Sequence, residues 1–537
     1  MECRALPFRQ LPHQPKLFLQ FLDDFPRVAN FYGHPPTLAS IKKVARSLKY
    51  PTERRAEVAT ILVEQNAAFG AGEATRKNLE RLANGAVAVV SGQQVGLFSG
   101  PAYAVYKAVS AVQISEELTR AGIDAVPIFW MATEDHDLDE VRVSNWFHEG
   151  KLVRFELPGN GDAGKPVGGI PLGPAVQEMA HEAARFLSAA GGEFVAGIFR
   201  ESYGSGETYG SAFGKLFSRL FAEQGLILLD PLDARLHRAA GEVLRKAVGG
   251  RDELNDALLA RGKELEKAGY GAQVKVTARS TLIFGMERGR REPVSMSGGR
   301  FVSGERSWSK NELVDAVEAS PEEFSPNALL RPVMQDYLLP TVAYIAGPAE
   351  IAYYAQAEVV YRGVLGRMPV ILPRAGFTIF DAKAEKILRR YGLQVEDVWH
   401  GSQELRRRME ISSVPGALGK NFDKTLKESE KSLAQLKKQI LRLDPTLGGA
   451  VETARKKIAF QLEKLKRKAG KAQALKEGII SRHQEMLESL LYPHKALQSR
   501  ELCFLPFLAR WGMGGLKELQ KLAGSAHLRE HKILRIS

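Results

Sequence analysis

The chain has 537 residues, of which 44% are hydrophobic and 26% are charged, values that are typical of a globular protein. No run of about 18 uncharged apolar residues occurs, which argues against a membrane-spanning helix, and two cysteines (Cys3 and Cys503) are too few for a disulfide framework. The formal net charge of +13 is compatible with anionic small substrates or with nucleic acid, although a diffusely basic surface is the simpler interpretation.

The first eighty residues are predicted to be mainly helical. Apolar residues recur at three- and four-residue spacing in TLASIKKVARSL and in ERRAEVATILVEQNAAFG. The amino-terminal stretch MECRALPFRQLPHQPKLF lacks the apolar core of a signal peptide. A cytoplasmic location is therefore expected.

Five short apolar runs predict the strands of a parallel sheet. The run Ala86–Gln94, a helix closed by Gly122 and a second run from Val126 form one strand–helix–strand unit. Runs of the same character follow later in the chain, at Gly225–Pro231, Thr341–Glu350 and Met368–Arg374. Continuous rather than alternating apolar strands indicate a sheet that is covered on both faces. The sequence therefore predicts an α/β fold with a Rossmann-like, doubly wound parallel sheet.

Two loop-rich stretches, at about 145–210 and 233–326, interrupt this core. Each is too short to bury much of its own surface, so both are predicted to be inserted connecting segments rather than independent domains. In the second stretch, AQVKVTA and STLIFGM are candidate strands, and ERGRREPVSMSGGR is expected to be a loop. The discontinuous core is expected to occupy residues 1–400.

The last third of the chain predicts a helical antiparallel coiled-coil hairpin. Apolar residues alternate four- and three-residue steps from Phe422 to Leu443, and the seam resumes at Val451 after the turn DPTLGG. We expect a coiled-coil domain over 401–490, used as a homodimer contact, and a helical segment over 491–537 that packs back on the core. The hairpin is rich in lysine but nearly lacks aromatic residues, so nucleic-acid binding is not expected.

The candidate site residues follow the predicted strands, because open parallel sheets bind ligands outside the carboxyl ends of their strands. The residues predicted to bind substrate are Gly92, Gln94, Gly96, Glu350, Tyr353, Gln356 and Arg374. The glycines have an alternative role in a tight strand-to-helix turn. Glu350 is expected either to cap the following helix or to contact an amine, and Tyr353 has an alternative place in the core.

The most polar strand end is Glu134-Asp135-His136-Asp137. A histidine beside carboxylates can act as a general acid or base, so His136, Asp135 and Asp137 are the predicted catalytic residues. Carboxylates and imidazole are also metal ligands, but adjacent strand residues point to opposite faces, and no metal site is predicted. The alternative is that Asp137 and Asp139 only cap the next helix.

Several long motifs together resemble a known family. They are SGQQVGLFSGPAYAVYKA, FWMATEDHDLDEV, SPNALLRPVMQDYLLPTVAYIAGPAEIAYYAQ, MPVILPRAGFT and LQSRELCFLPFLARWG. The chain resembles, over essentially its whole length, the BshC family of cysteine ligases of bacillithiol biosynthesis. The resemblance implies a Rossmann-like core with two connecting insertions and a coiled coil used for dimerisation. It also implies addition of cysteine to glucosaminyl malate, the last step of the pathway.

The activating chemistry is not evident from the sequence. Forming an amide from a free carboxylate requires activation, usually by a nucleotide, so ATP or ADP is a candidate cofactor. Yet the chain contains no P-loop and neither the HIGH nor the KMSKS motif of class I synthetases. Two alternatives stay open: a nucleotidyltransferase or class I synthetase-like enzyme with a basic RNA-binding coiled-coil arm, and a non-enzymatic coiled-coil scaffold whose α/β core binds a ligand.

Overall fold

The computed structural model describes residues 2–159 and 161–536, with residues 474–477 described as backbone only. At its centre lies a five-stranded parallel sheet, and all five predicted strands are present. In chain order they are β1 (Val87–Gln93), β2 (Ala125–Met131), β3 (Ile227–Leu229), β4 (Thr341–Ala346) and β5 (Val370–Pro373). Their spatial order is β5-β4-β1-β2-β3, which is the order of a Rossmann sheet.

Both faces of this sheet are covered. Every residue of β2 and of β4 is buried, and successive strand residues point to opposite faces. Helix α1 (Tyr103–Arg120) connects β1 to β2, and helix α2 (Pro348–Val364) connects β4 to β5. Right-handed crossovers that run outward in opposite directions place α1 and α2 on opposite faces. The predicted doubly wound α/β core is therefore confirmed.

The two ends of the chain meet in a second, smaller sheet. The strand Glu2–Pro7, which was not predicted, pairs antiparallel with Glu530–Arg535, and this strand pairs in parallel with Gly376–Phe380. The first eighty residues are otherwise mainly helical, as predicted. Their helices are Lys16–Asp23, Leu38–Ser47, Thr52–Ala68 and Glu73–Ala83. The amino-terminal strand lacks a local pairing partner, because its partner lies more than five hundred residues away.

The first insertion packs on the loop after β1. It contains the short helix Leu138–Val141, a hairpin of the strands Val143–His148 and Lys151–Glu156, and the helices Ala175–Ala189 and Glu193–Ser202. The helix Tyr209–Leu220 then leads to β3. Phe98, in the left-handed region at φ 54°, points its ring at the insertion. Its centroid lies 6.0 Å from that of Trp146 and 4.8 Å from that of Phe199, in edge-to-face contacts.

The second insertion carries three helices, a five-stranded antiparallel sheet and a further helix. Its elements are Ala234–Ala239, Gly241–Gly249, Arg251–Lys267, Ser280–Glu287, Arg290–Ser297, Arg300–Ser303, Arg306–Trp308, Lys310–Ala319 and Phe324–Pro326. Helix Arg331–Leu338 then leads to β4.

Two local expectations for the second insertion were wrong. ERGRREPVSMSGGR is not a loop, because its polar residues form a strand that the neighbouring strands pair on both sides. AQVKVTA is not a strand, because the Gln356 side chain takes the place of a partner strand: it accepts hydrogen bonds from the amides of Gln273 and Val274 and donates one to the Val274 carbonyl, each 2.9 Å long.

The carboxyl-terminal third forms the predicted antiparallel hairpin. Helices α3 (Gly416–Leu443) and α4 (Gly448–Glu477) flank a turn at Pro445–Leu447, and ion pairs between Arg455 and Glu430 (3.0 Å) and between Lys466 and Asp423 (2.7 Å) fix the antiparallel register. Shorter helices precede and follow the hairpin, and two of them, Ser402–Ser412 and Ile480–Leu491, contact α4. They are Ala382–Tyr391, Val395–Val398, Ser402–Ser412, Ile480–Leu491, Gln498–Glu501, Leu505–Trp511 and Gly514–Leu522.

The segment after the hairpin lies against the start of α1. The amide of Ala102 donates a 2.8 Å hydrogen bond to the carbonyl of Leu502, and Pro101 forms a β-bridge with Cys503. Helix Gly514–Leu522 packs along α1. None of the described helices has an apolar stretch long enough to cross a membrane.

We predict that Gly470→Ala destabilises the base of the hairpin. A Cβ at position 470 would overlap the carbonyl oxygen of Glu410, so α4 and the helix Ser402–Ser412 would have to separate. Overpacking of this kind costs about 1–3 kcal/mol. Gly449→Ala, in the same helix, has no atom within 4 Å of its new Cβ and is the matched control. Urea unfolding followed by circular dichroism should show a lower midpoint for Gly470→Ala alone, and equal midpoints would contradict the prediction.

A candidate ligand site at the carboxyl ends of the sheet

A cavity of about 360 Å³ opens where the central strands end. Gln93 is level with Met131 across β1 and β2, and Ala346 is level with Pro373 across β4 and β5, so the residues that follow the four strands share one edge. This edge includes the point between β1 and β4 where the order of the strands reverses, which is where doubly wound sheets bind ligands.

Six of the ten residues predicted from the sequence line this cavity. They are Gly92, Gln94, Asp135, Glu350, Tyr353 and Arg374. Gly92 has a packing role as well, since a Cβ there would lie 2.7 Å from the carbonyl oxygen of Trp130 on β2. Strand ends from both halves of the sheet thus come together as the topology predicts.

His136 and Asp137 do not line the cavity. The His136 side chain is 41% exposed at the rim, where its Nδ1 lies 3.3 Å from an Arg291 guanidinium nitrogen and its ring lies 5.7 Å from that of Phe284. Asp137 caps the helix Leu138–Val141 by accepting a 3.1 Å hydrogen bond from the amide of Glu140. The strand ends at Met131 and the chain turns at Thr133 and Glu134, so the strand alternation assumed for this run does not apply.

Gly96 and Gln356 also lie outside the cavity, and each has a structural contact. A Cβ on Gly96 would approach the Cα of Gly100 to 2.7 Å, which identifies this glycine with a tight turn. Gln356 faces the second insertion and bonds its backbone at Gln273 and Val274. Gln356 lies one turn beyond Tyr353 on α2. Tyr353 lines the cavity, whereas Gln356 contacts the second insertion.

A buried ion pair spans the cavity floor. Lys107 Nζ lies 2.5 Å from Glu350 Oε2, and it donates hydrogen bonds to the Gly92 carbonyl (2.7 Å) and to Gln93 Oε1 (2.9 Å). The hydroxyl of Tyr344 donates to Glu350 Oε1 at 2.8 Å. Burial lowers the pKa of Lys107, and the Glu350 carboxylate opposes this effect. In the sequence, Lys107 is marked only by a single charge within the apolar stretch AVYKAV, and it was not among the predicted site residues.

The wall below β1 and β2 is acidic. Gln94 Nε2 donates to Asp135 Oδ2 at 2.7 Å and to Glu140 Oε2 at 2.9 Å, so one amide holds both carboxylates. Burial raises the pKa of Glu140, and the neighbouring charges of Asp137 and Asp135 act in the same direction. A group with a raised pKa beside a cavity is a candidate proton carrier.

The opposite wall, near β4 and β5, is basic. Arg331, Arg374 and Arg500 line it. Arg331 donates a 3.4 Å hydrogen bond to the Tyr353 hydroxyl, and its guanidinium carbon lies 5.8 Å from the centre of the Trp130 ring. Burial lowers the pKa of Arg374 to about 10, which leaves it charged at neutral pH. The cavity is therefore lined by both carboxylates and guanidinium groups, and the charge of Arg500 acts on Glu140.

A second cavity, of about 320 Å³, adjoins the first. Arg374 and Arg500 line both, and the second adds Lys495 and the rings of Phe8 and Phe18. Within residues 2–159 and 161–536, no three His, Cys, Asp or Glu side chains are grouped as ligands for a metal ion.

These features define a Rossmann-class α/β protein with a charged small-molecule site at its topological switch point. Two family models match the chain and assign it to one protein family. The model described as "Bacillithiol biosynthesis BshC, N-terminal Rossmann-like domain" matches residues 1–375, and the model for the C-terminal coiled-coil domain of BshC matches residues 377–536. The chain belongs to the BshC family of bacillithiol biosynthesis.

Several relatives match over nearly the whole chain. A protein of Koribacter versatilis is 40% identical over 533 residues, which covers 99% of both chains. Proteins of Solibacter usitatus (38%, covering 96% of both chains) and of Salinibacter ruber (32%, covering 94% of both chains) follow. All three carry the name "Putative cysteine ligase BshC".

We predict that Lys107→Met strongly destabilises the protein, because it leaves the Glu350 carboxylate without its buried cation. Breaking a buried pair in this way costs about 3–5 kcal/mol. The double variant Lys107→Met/Glu350→Gln should be less destabilised than the sum of the single variants. Lys77, paired with Glu73 at an exposed position, provides the control: Lys77→Met should cost about 0–1 kcal/mol in denaturant unfolding. Equal losses for Lys107→Met and Lys77→Met would refute the prediction.

Proposed function

We propose that this protein is a cysteine ligase that joins cysteine to glucosaminyl malate, the last step of bacillithiol synthesis. The observation that carries the proposal is the set of charged side chains that line one cavity, which combines the carboxylates of Asp135 and Glu140 with three guanidinium groups. Family membership and the names of the relatives support the same activity.

The chemistry of the substrates fits this charge pattern. Glucosaminyl malate bears two carboxylates and an amine, and cysteine is a zwitterion. Guanidinium groups bind carboxylates through two parallel hydrogen bonds, so Arg331, Arg374 and Arg500 suit the acidic groups of the substrates. The carboxylates of Asp135 and Glu140 suit an ammonium group.

The reaction forms a bond between the amine nitrogen of glucosaminyl malate and the carboxyl carbon of cysteine. One carboxyl oxygen of cysteine leaves with the activating group, and the nitrogen, which enters as an ammonium group, loses two protons and keeps one as the amide N–H. We assign proton acceptance to Glu140, whose pKa is raised by burial, with Asp135 held beside it by Gln94. Of the three residues predicted to be catalytic, we keep only Asp135 at the reacting groups.

The adjoining cavity suits an activating nucleotide. A bound nucleotide would supply the phosphoryl or adenylyl group that makes the cysteine carboxyl reactive. Lys495, Arg374 and Arg500 carry the positive charge that its phosphates would need, and Phe8 and Phe18 offer ring surface. Because Arg374 and Arg500 belong to both cavities, they are the residues that would face both the carboxyl group and its activating group.

We predict that the purified protein, given cysteine, glucosaminyl malate and ATP, forms bacillithiol that is detected by mass spectrometry. Arg374→Lys should raise KM for a carboxylate substrate by about tenfold, because a lysine cannot form the bidentate contact. Arg362→Lys, an exposed change near the end of α2, is the control and should leave KM unchanged. No product with the unaltered protein would contradict the proposed reaction, whereas an unaltered KM in Arg374→Lys would contradict only the role of this arginine.

We also propose that the hairpin joins two copies of the chain. No described residue of α3 is buried, and the hairpin leaves Leu436, Phe460 and Leu465 47%, 61% and 55% exposed. A heptad seam that stays exposed in one chain is typical of a coiled-coil contact with a second chain.

Light scattering should accordingly give the mass of a dimer for the full chain. The triple variant Leu436→Lys/Phe460→Lys/Leu465→Lys should give the mass of a monomer, because three buried charges would oppose the contact. Phe194→Lys removes an equally exposed apolar side chain (67%) on the first insertion and should remain dimeric. A monomeric mass for the unaltered protein would overturn this proposal.

A further inference from the structure

A second buried ion pair lies behind the acidic wall of the cavity. Glu134, which follows β2, places Oε1 at 2.9 Å from Nε2 of His237. Both side chains are almost fully buried, 8% and 6% exposed, and Glu134 also lines the cavity. Neither residue is used in the reaction proposed above.

The contacts of His237 require a doubly protonated ring. Its Nδ1 lies 2.8 Å from the carbonyl oxygen of Phe324, and its Nε2 lies 3.0 Å from the carbonyl oxygen of Pro231 in addition to Glu134. A neutral imidazole has one N–H and one lone pair, so one nitrogen would face an oxygen without a proton between them. With two N–H groups, each ring nitrogen donates to a backbone carbonyl, and the positive charge of the ring lies beside the Glu134 carboxylate.

The electrostatic surroundings agree with a charged ring. Burial by itself would lower the pKa of His237, but the Glu134 carboxylate and the two carbonyl groups outweigh it, and the pKa is raised. Behind Glu134, the Asp230 carboxyl accepts a hydrogen bond from Thr133, and its burial raises its own pKa. Arg291 is the second cation whose charge acts on Glu134.

The pair also joins separate parts of the chain. His237 lies in the first helix of the second insertion, and Phe324 begins the strand that closes that insertion. Pro231 follows β3, and Glu134 follows β2. One imidazolium thus holds both ends of the insertion and two strand ends, which leaves the Glu134 side chain little freedom to move.

Glu134 keeps one oxygen for a ligand. Its closest contact with His237 is made through Oε1, and Glu134 lines the cavity, so Oε2 is the oxygen that we assign to a ligand. A carboxylate held in place by a buried cation is suited to an N–H donor that carries a positive charge. Asp135 and Glu140 line the same cavity as Glu134, together with Arg331, Arg374 and Arg500.

We propose that Glu134, held in place by the His237 imidazolium, is the binding site for the primary ammonium group of a substrate. This inference rests on the ligase activity proposed above and adds to it the position of one functional group. Two substrates carry such a group, the amino acid and the amino sugar. Glu134 is then a binding residue, and His237 is a positioning residue that acts through it.

The experiment compares ligands with and without the amino group. Binding of cysteine and of 3-mercaptopropionate, and of glucosaminyl malate and its 2-hydroxy analogue, is measured by calorimetry for the unaltered protein, Glu134→Gln and His237→Gln. The unaltered protein should prefer one ammonium-bearing ligand over its analogue by about 30-fold or more, and both variants should lose most of this preference. The ligand pair that shows the loss identifies which substrate uses the site.

Controls separate this role from a general loss of folding. His181→Gln changes an exposed histidine on the helix Ala175–Ala189 and should keep the preference. In His237→Gln, KM for the ammonium-bearing substrate should rise while kcat changes much less, and binding of the deamino analogue should stay the same. A merely structural role would weaken both members of a ligand pair equally.

The outcomes are distinct. If both variants keep the preference of the unaltered protein for the ammonium group, the Glu134 site is wrong even though the ligase activity stands. Equal weakening of a ligand and its deamino analogue also overturns the site. If the unaltered protein forms no bacillithiol and binds none of the four ligands, the proposed activity fails, and the ammonium site fails with it.

Discussion

The buried contact between Lys107 and Glu350 is the interaction on which the geometry of the site depends. It joins α1 and α2 across the point where the strand order reverses, and Lys107 also donates to the Gly92 carbonyl and to the Gln93 side chain at the end of β1. Glu350 in turn accepts a 2.7 Å hydrogen bond from the amide of Gly347, at the start of α2. Removing two such charges from water costs several kcal/mol for each ion, and only a complete set of partners offsets that cost. Movement of either helix would therefore expose an unpaired charge, so the two halves of the sheet are held in one arrangement.

The charged residues that line the cavity come from different parts of the fold. Glu134, Asp135 and Glu140 follow β2, and Glu350 follows β4. Arg374 follows β5, and Arg331 precedes β4. Two cationic groups come from outside the sheet, Arg291 from the second insertion and Arg500 from the segment after the hairpin. The site is consequently complete only when the inserted sheet and the carboxyl-terminal segment have packed on the core. In a partly desolvated cavity this arrangement favours one orientation of a zwitterion, because the reversed orientation would place like charges together.

The hairpin is physically separate from this chemistry. None of the described residues of α3 or α4 lines the main cavity, and the ion pairs of the hairpin lie within it or reach the neighbouring helix, as between Arg407 and Glu463. Its exposed apolar residues form the surface that we propose for assembly, and its lysines are not grouped with aromatic rings. Changes that disrupt the hairpin contact should therefore alter the mass of the particle before they alter the ligand site.

The sequence by itself determined the five core strands, the two insertions, the hairpin and its turn, because continuous apolar runs, heptad spacing and turn residues are local signals. It also located the site at the strand ends, and six of ten named residues line the cavity. It did not determine which side chains after β2 face the cavity, since the strand ends at Met131, the chain turns at Thr133 and Glu134, and the alternation of a strand no longer applies to His136 and Asp137. Nor did it reveal Lys107, Arg291, Arg331, Arg500 or His237. Lys107 meets Glu350, and His237 meets Glu134, across more than a hundred residues of chain. Only the tertiary structure decided these contacts, because the free energy of a buried charge depends on the partners that folding places beside it and not on its neighbours in sequence.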